Sequence, residues 1–434
     1  MASKGEVVAA LLLGGEEKLP PGRISSLGGI EVLSGPDPRA ALDQALLRLR
    51  PDAVIDLSDE PVLDYRRRFE LAALTLFRGI PYVGADFRFE PPPRPRLADK
   101  PSIALIGTGK RTGKTAVAAF AARTLQAAGR GPVVVAMGRG GPAEPEVLRG
   151  DELILEPKDL LDFADAGRHA ASDYIEDALL ARVPTVGCRR CGGGLAGGVE
   201  HSNVGRGVAL ANELPAELVL VEGSGSAIPP VHADTTLLVV PASIPPEYLA
   251  GYMGPYRLLL SDFVVITMCE EPFGSSTQIS TITAQVKRTF GLVNRGEDTD
   301  GPEVIRTVFR PTPTRSVEGA TVLVATTAPE EAGDAIRRHL EGLGCRVAGM
   351  THALSARERL ESELGGYGKG ADVLLCEIKA AAIDVATRWA LDQGLEVVYM
   401  DNVPHGVGGD DPASAVLRAA ELAEKRFEAH GDGR

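Results

Sequence analysis

The sequence is poor in cysteine and aromatic residues, and it contains no long apolar run. Aromatic side chains make up 5% of its 434 residues, and there are five cysteines. So few cysteines in a chain of this length do not form the disulfide framework of a small secreted domain, which favours a reducing, cytoplasmic location. No stretch of about 18 apolar residues occurs, so no membrane span is expected.

Basic residues are also fewer than acidic residues. The chain has 46 Lys and Arg against 59 Asp and Glu, which gives a formal net charge of −13. This balance argues against nucleic acid as a partner, because nucleic-acid affinity rests on basic side chains that neutralise phosphates. A small anionic ligand would enter against the mean field of the protein, so its site must concentrate basic groups locally.

What the chain does have is a regular alternation of apolar strands and helical patterns. Its length predicts about three domains. Pro-rich segments at 87–96 and 311–314 predict connections, because consecutive or closely spaced prolines disfavour both helix and central strand. The resulting division is an N-terminal α/β domain over 1–95, a central domain over 96–315 and a C-terminal α/β domain over 316–434. The alternation predicts an α/β fold in which a doubly wound, mostly parallel central sheet is flanked by two smaller α/β domains.

A Gly-rich turn follows the first strand of the central domain and precedes an apolar helix. It reads Gly107-Thr-Gly-Lys-Arg-Thr-Gly-Lys-Thr115, and this context is typical of a phosphate-binding P-loop. Glycines let backbone N–H groups converge on phosphate oxygens, and the helix N-terminus adds partial positive charge. The pattern predicts that ATP is bound by Gly107, Thr108, Gly109, Lys110, Arg111, Thr112, Gly113, Lys114 and Thr115.

Within this loop Lys114 is expected to reach the β- and γ-phosphates, and Thr115 to ligate Mg²⁺. The spacing is unusual, since Gly107 stands six positions before Gly113 instead of five. In this respect the loop resembles that of dethiobiotin synthetase and its relatives. Glu222 ends another apolar strand of the same domain. Ligands of open parallel sheets bind at the carboxyl ends of strands, so Glu222 is a second candidate for Mg²⁺, with helix or turn capping as the alternative.

Two further Gly-rich segments of this domain carry arginines. Arg139 follows one strand, and the pair Arg189-Arg190 follows another. Paired guanidinium groups beside exposed backbone N–H groups suit a doubly charged phosphate, although a surface loop would look similar. Cys188 and Cys191 form a Cys-x-x-Cys spacing that would suit zinc or a redox dithiol, but no second pair stands at a suitable spacing.

The C-terminal domain contributes candidates of the same kind. Glu377 ends a strand and Lys379 follows it, while Lys369 lies in a Gly-rich segment upstream. Either lysine could meet a phosphate as a point charge, and Lys379 could equally be a solvated helix start. Glu377 could hold that lysine or a metal. Segments 267–272 and 309–311 each follow a strand of the central sheet, and either could line an adenine pocket.

Taken together, these segments resemble the cyclic 2,3-diphosphoglycerate synthetase family. The segments that carry the resemblance span nearly the whole chain after Pro101, and they are 107–116, 189–194 with 202–204, 221–225, 307–311, 377–384 and 401–404. The resemblance implies that ATP and 2,3-bisphosphoglycerate give cyclic 2,3-bisphosphoglycerate, ADP and phosphate.

A substrate with about five negative charges requires many cations. The residues then expected to serve catalysis are Lys114, Lys110, Arg111, Arg189, Arg190 and Lys379. Those expected to bind substrate are Arg139, Arg189, Arg190, Lys369 and Lys379. Thr115 and Glu222 are the expected metal ligands. A homodimer is the default expectation for the assembly.

Other functions remain open on the residues alone. One is a carboxylate or amine ligase of the dethiobiotin synthetase type, and another is a P-loop regulatory ATPase. A kinase that phosphorylates 2-phosphoglycerate is a close variant of the synthetase and could be a second activity of the same site.

Overall fold

The strands of the chain form one long, mostly parallel sheet and two small sheets near the N-terminus. The structure, a computed structural model, describes residues 5–13, 26–34, 37–153, 156–165, 172–293, 301–367, 370–378 and 382–431. Within these ranges no helix is long and apolar enough to cross a membrane.

In the residues that the structure describes, the N-terminal part contains six short strands and two helices. In chain order they are β1 Ala9–Leu11, β2 Ser26–Leu27, β3 Ile30–Leu33, α1 Pro38–Leu49, β4 Val54–Ile55, α2 Tyr65–Phe77, β5 Tyr82–Val83 and β6 Arg88–Phe89. The strands form two sheets with the orders β1-β3-β2 and β4-β5-β6. Helix α1 begins where Asp37 caps it and Pro38 presets the first helical turn.

The central part alternates strands and helices as the sequence predicts. Its elements are β7 Ser102–Gly107, α3 Lys114–Ala127, β8 Pro132–Gly138, β9 Glu146–Arg149, α4 Pro157–Asp165, α5 Asp173–Ala181, β10 Pro184–Cys191, β11 His201–Ser202, α6 Val204–Glu213, β12 Leu218–Glu222, β13 Thr235–Pro241, α7 Pro246–Ala250, α8 Gly254–Leu260, β14 Phe263–Thr267, α9 Ser276–Phe290 and β15 Glu303–Pro313. Every residue of β7, β8 and β12 is buried, as in parallel strands covered on both faces.

Over its described ranges, the C-terminal part adds four strands and four helices. They are β16 Thr321–Ala325, α10 Gly333–Gly342, β17 Arg346–Thr351, α11 Arg357–Gly366, β18 Val373–Glu377, α12 Ile383–Asp392, β19 Glu396–Gly406 and α13 Pro412–Gly431. A short 3-10 turn at Glu330–Ala332 precedes α10.

The central and C-terminal parts share one sheet. Its order is β11-β10-β8-β12-β7-β13-β14-β15-β19-β18-β16-β17, with β9 also paired to β10. All pairs from β10 to β15 and from β19 to β17 along this order are parallel, and only β15 and β19 join the two groups in antiparallel fashion. The mostly parallel α/β sheet is therefore confirmed, and it extends beyond the central domain.

The segment 311–314 does not form the irregular connection that its prolines predict, because residues 311–313 belong to β15. Pro311 and Pro313 continue β15 and pair with Asn402 and Met400 of β19. The N–H of Thr314 donates to a carbonyl of β19, so the nitrogens of the alternate residues 311 and 313 face away from that strand. Strand β14 pairs with β15 only up to Arg306, so the two prolines lie where no ladder bond is required of them.

A common hydrophobic core explains how the two parts hold together. One cluster joins Leu105 of β7 with Leu323 of β16 and Leu374 of β18. Helix α3 lies within this cluster and contacts β7, β19 and α13. The helix that follows the Gly-rich turn is therefore enclosed by elements from both parts.

Candidate active site at the carboxyl edge of the sheet

The Gly-rich turn joins β7 to α3 at the carboxyl edge of the parallel strands. Gly113 caps the helix with a φ of 85°, and a Cβ there would lie 2.3 Å from the Phe309 ring, so only glycine fits. The hydroxyl of Thr267, at the end of β14, donates to the Thr112 carbonyl at 2.8 Å. Residues from two other strands thus fix the last part of the loop.

Lys114 and Thr115 are the first two residues of α3, and both are buried, with 8% and 3% exposure. The hydroxyl of Thr115 donates to one carboxylate oxygen of Glu222 at 2.7 Å. Glu222 lies beside Leu105 of β7 in the strand register. The sequence-predicted metal ligands are therefore in direct contact.

The second carboxylate oxygen of Glu222 is buried and has no hydrogen-bond partner among the described residues. Buried carboxylate oxygens are rarely left in this state, because the desolvation penalty is not recovered. A hard cation with oxygen ligands would satisfy this atom, and Mg²⁺ is commonly held by only one or two protein groups together with phosphate oxygens. The pair Thr115 and Glu222 therefore fits Mg²⁺.

Three arginines lie at the ends of the neighbouring strands β8 and β10. Arg189 pairs in register with Gly138, which directly precedes Arg139, and both Arg139 and Arg189 are exposed. The Arg189 backbone N–H donates to the Asn203 side chain at 2.7 Å, and its Nε donates to the Gly141 carbonyl. The structure thus places the backbones of Arg139 and Arg189 on adjacent strands at the same edge of the sheet.

Arg190 differs from its neighbours because it is buried, with 4% exposure. Its two terminal nitrogens donate to the carbonyls of Gly192 and Ser224, the latter at 2.8 Å, and its Nε has no partner among the described residues. Burial lowers the pKa of Arg190, and the nearby charge of Arg139 lowers it further. Much of its bonding capacity is therefore directed to the protein itself.

Lys110 and Arg111 are exposed residues of the P-loop. Lys110 packs its stem near Gly225, which follows Glu222 in the chain, and Arg111 adopts a φ of 59°. The basic residues of the P-loop and of β8 and β10 consequently lie along one edge of the same sheet.

In the C-terminal part, Glu377 is a well-satisfied carboxylate. It accepts hydrogen bonds from the hydroxyls of Thr326 and Thr327, from the Thr327 backbone N–H and from the Asn402 amide, at 2.6–3.0 Å. These contacts tie the ends of β16 and β18 to the middle of β19. Lys369 and Lys379 lie outside the described residues.

The C-terminal part is nevertheless anchored to the P-loop helix. Arg123 of α3 donates to Asp401 of β19 at 2.6 Å. Asp401 is 6% exposed, and burial raises its pKa even though Arg123 lowers it. Because Arg123 follows Lys114 by nine residues, the anchor lies roughly 14 Å along the helix from the P-loop lysine.

The two segments proposed for adenine lie next to each other. Glu270 accepts two hydrogen bonds from Arg310, at 2.6 and 2.7 Å, and the Cys269 N–H donates to the Thr307 carbonyl at 2.9 Å. They form one wall beside the P-loop, where Phe309 also lies. Neither Phe309 nor Thr267 was singled out as a support of the P-loop, because contacts between distant strands leave no local sequence signal.

The Cys-x-x-Cys pair does not converge. Cys188 is buried against Gly207, and burial raises its pKa to about 12, whereas Cys191 is exposed. Residues three apart on a strand point to opposite faces. Across the described residues, no group of three or more His, Cys, Asp or Glu side chains is placed to hold a metal.

Comparison with known families and proteins matches nearly the whole chain. Residues 1–90, 102–294 and 313–403 match, respectively, the N-terminal domain, the P-loop domain and the C-terminal domain of cyclic 2,3-diphosphoglycerate synthetase. Proteins of that name from Methanothermus fervidus and Rubrobacter xylanophilus are 45% and 46% identical to the chain. They cover 97% and 98% of it, and the chain covers 92% of each.

Among solved structures, LpxK from Aquifex aeolicus in complex with ATP is similar with a TM-score of 0.43 and 14% identity. The match covers 77% of this chain and 90% of that chain. At this level the likeness gives no indication of function.

Proposed function

The chain belongs to the cyclic 2,3-diphosphoglycerate synthetase family, and on that basis we propose that it converts 2,3-bisphosphoglycerate to the cyclic form with ATP and Mg²⁺, releasing ADP and phosphate. It is an ATP-dependent enzyme of the ligase type that acts on a small molecule. The observation that carries the finer proposal is the position of the P-loop beside exposed arginines on one sheet edge.

The chemistry accounts for the use of ATP. The product contains an intramolecular phosphoanhydride, so another phosphoanhydride must be consumed to form it. In the first step, an oxygen of one substrate phosphate attacks the γ-phosphorus of ATP, and ADP leaves. In the second step, an oxygen of the other substrate phosphate attacks the substrate phosphorus of the new pyrophosphate, and inorganic phosphate leaves as the ring closes.

Positioning and charge stabilisation are the main tasks of the protein in such a reaction. Lys114 holds the transferred phosphate of ATP, while Lys110 and Arg111 extend positive charge from the same loop. Arg139 and Arg189 bind the substrate phosphates at the ends of β8 and β10. Charges that repel in the free substrate are thereby held close enough to react.

Thr115 and Glu222 hold the Mg²⁺. The unpartnered oxygen of Glu222 supports this assignment, because a cation would complete its bonding. Mg²⁺ bound there would neutralise charge on the phosphate oxygens of ATP. Thr115 and Glu222 keep each other in place through their hydrogen bond.

Arg190, Lys369 and Lys379 complete the proposed set. Arg190 contributes positive charge from beneath the edge, and its buried Nε has no hydrogen-bond partner among the described residues. Lys369 and Lys379 are proposed to reach the substrate from the C-terminal part. Variants of these lysines are the direct test of their roles, and unchanged turnover of Lys379→Ala would remove Lys379 from the mechanism.

Phosphorus NMR of the protein with Mg-ATP and 2,3-bisphosphoglycerate tests the reaction. We expect the two monoester signals to be replaced by coupled anhydride signals while ADP and phosphate appear. Hydrolysis of ATP with unchanged bisphosphoglycerate signals would refute the proposal and favour a regulatory ATPase. Spectra with 2-phosphoglycerate test whether the same site also phosphorylates it.

A pair of arginine variants tests where the substrate binds. Arg189→Met should raise the KM for bisphosphoglycerate, because it removes a charge from the proposed site. Arg149→Met is the matched control, since Arg149 is paired with Pro184 at the amino end of β10 and forms an ion pair with Asp151. An equal rise of KM in the two variants would show that Arg189 acts only through the overall charge of the protein and does not bind the substrate.

A further inference from the structure

A second buried arginine lies behind the candidate site. Arg257 belongs to α8 and is 6% exposed. Its guanidinium donates to the carbonyl of Ser226 at 2.7 and 3.2 Å, to that of Leu195 at 3.2 and 3.3 Å, and to that of Met253 at 3.0 Å. Burial lowers its pKa to about 10. A buried cation bonded to neutral carbonyls is costly, which makes a purely stabilising role a poor explanation.

Two of these carbonyls belong to the Gly-rich loops at the candidate site. We call residues 192–198, which follow β10, loop A, and residues 223–227, which follow β12, loop B. Leu195 lies in loop A and Ser226 in loop B. Arg190 bridges the same two loops through Gly192 and Ser224, and the N–H of Ile228 donates to the Gly197 carbonyl at 2.8 Å.

These contacts fix the orientation of the loop peptides. In a trans peptide the N–H points opposite to the carbonyl. When a guanidinium binds the carbonyl of Leu195, the N–H of Ala196 is turned away from it, and the contacts of Arg190 do the same for the N–H groups of Gly193 and Gly225. The N–H of Ala227, next to the Ser226 carbonyl, donates to the Ser224 carbonyl and closes loop B. Backbone N–H groups on the side of a loop that faces away from bound cations can bind anions.

Loop B also touches the P-loop. A Cβ on Gly107 would lie 3.4 Å from the Gly225 carbonyl oxygen, and a Cβ on Gly225 would lie 3.7 Å from the Lys110 side chain. A displacement of loop B would therefore be transmitted to the residues that are proposed to hold ATP and substrate.

We propose that Arg257 is a positioning residue for the synthetase reaction, which holds loops A and B in the one arrangement that presents their N–H groups to the substrate phosphates. Arg257 touches neither substrate nor ATP. The substrate in this statement rests on the proposed function, whereas the fixing of the loops does not.

In this proposal, the N-terminal part supports the helix that carries Arg257. Helix α2 packs on α8, and both belong to one apolar cluster that includes Leu74 and Tyr256. Arg257 is therefore held from behind by a helix of the N-terminal part. Through Arg257, that part supports the site without contributing a side chain to it.

The test compares Arg257→Met with Arg257→Lys in the full-length protein. Hydrogen exchange of loops A and B should rise together in Arg257→Met. The KM for bisphosphoglycerate should rise by about tenfold or more, and the KM for ATP by less than about twofold. Arg257→Lys should lie between this variant and the unsubstituted protein, because an ammonium group keeps the charge but cannot span both carbonyls in the same way.

Arg426→Met is the matched control. Arg426 of α13 donates to the Asp234 carbonyl and to Asp262, at the amino ends of β13 and β14, so it lies at the opposite edge of the sheet. It should lower thermal stability without changing either KM. If Arg257→Met does not fold, the same measurements on Arg257→Lys decide the question.

Unchanged exchange in both loops, or a loss of thermal stability with both KM values preserved, would overturn the proposal. The exchange measurement needs no substrate. Should the unsubstituted protein fail to cyclise bisphosphoglycerate, the proposed function would fall while the exchange data would still decide whether Arg257 fixes the loops.

Discussion

Glu222 and Glu377 occupy similar positions in the two halves of the sheet but are bonded very differently. Each ends a fully buried parallel strand, β12 and β18 respectively. Glu222 accepts one hydrogen bond, from Thr115, and its other oxygen has no partner in the described structure. Glu377 accepts four hydrogen bonds through both oxygens.

This difference in hydrogen bonding distinguishes a proposed cation site, at Glu222, from a carboxylate that stabilises the fold, at Glu377. A buried carboxylate oxygen without a partner lowers stability unless a ligand completes it, which supports the proposed cation site at Glu222. At Glu377 the protein itself supplies the donors, and the carboxylate joins the ends of β16 and β18 to Asn402 within β19. A carboxylate at the end of a strand is therefore not sufficient to indicate a metal site. Whether both of its oxygens already accept hydrogen bonds from the protein distinguishes the two cases.

The largest effect should come from Glu222→Gln. Loss of the negative charge removes the proposed Mg²⁺ ligand, and we expect turnover to fall by about 10²–10³-fold. Thermal stability should be unchanged or higher, because a buried unpartnered charge is removed. Initial rates from phosphorus NMR and a thermal unfolding curve provide the two measurements. Turnover within threefold of the unsubstituted protein would assign Glu222 to the structure instead.

The matched substitution Glu377→Gln should act mainly on stability. It replaces a carboxylate that accepts four hydrogen bonds, so we expect a loss of about 2–4 kcal/mol in the free energy of unfolding. The KM for ATP should stay the same. An equally stable but inactive variant would break the comparison, because Glu377 would then belong to the chemistry as Glu222 does.

The features that can be predicted from the sequence are those with a signal within a short segment. The P-loop, the strands β7, β8 and β12 and the position of Glu222 follow from apolar runs and glycine spacing within short segments. The positions of Arg139 and Arg189 at one edge follow from one rule, that parallel strands end at the same edge. These features need no knowledge of which distant residues meet.

The features that cannot be predicted from the sequence depend on contacts between residues far apart in the chain. The antiparallel ribbon of β15 and β19 was missed because prolines in a row of short polar residues look like a connection, and only the free edge of β15 makes them acceptable. The burial of Arg190 leaves no local signal, because it depends on Gly192 in the loop after its own strand and on Ser224 in the loop after β12. Arg257 left one signal, a single charge within an apolar helix, Tyr-Arg-Leu-Leu-Leu, which suggests a buried and saturated arginine.

A smaller effect should come from the ion pair that joins the two halves. Burial raises the pKa of Asp401 above its unfolded value, although Arg123 lowers it. An acid with a raised folded pKa binds its proton more tightly in the folded state, so its contribution to stability is complete below the unfolded pKa and is lost as the pH rises through the folded pKa. Asp401→Asn cannot ionise, and its melting temperature relative to the unsubstituted protein should rise as the pH is raised above the unfolded pKa of Asp401.

The opposite trend would also be informative. If the unsubstituted protein gained stability over Asp401→Asn as the pH rose, the attraction to Arg123 would outweigh burial. The ion pair would then stabilise the junction of the two halves at neutral pH. Arg388→Met is a suitable control, because its ion pair with Asp165 also crosses between the two halves but is exposed.

The smallest expected effect concerns the reactivity of two cysteines, one in each half of the sheet. Cys191 is exposed at the P-loop edge beside Arg190, whereas Cys376 is buried next to Glu377, and burial raises the pKa of its thiol. A thiol reagent added to the native protein should therefore label Cys191 first, with Cys376 at least about a hundredfold slower. Cys191→Ser should abolish the fast phase and leave turnover nearly unchanged, since no role is assigned to this thiol. Rapid labelling of Cys376 would mean that the end of β18 opens in solution, and the well-bonded Glu377 could then no longer be regarded as a fixed tie.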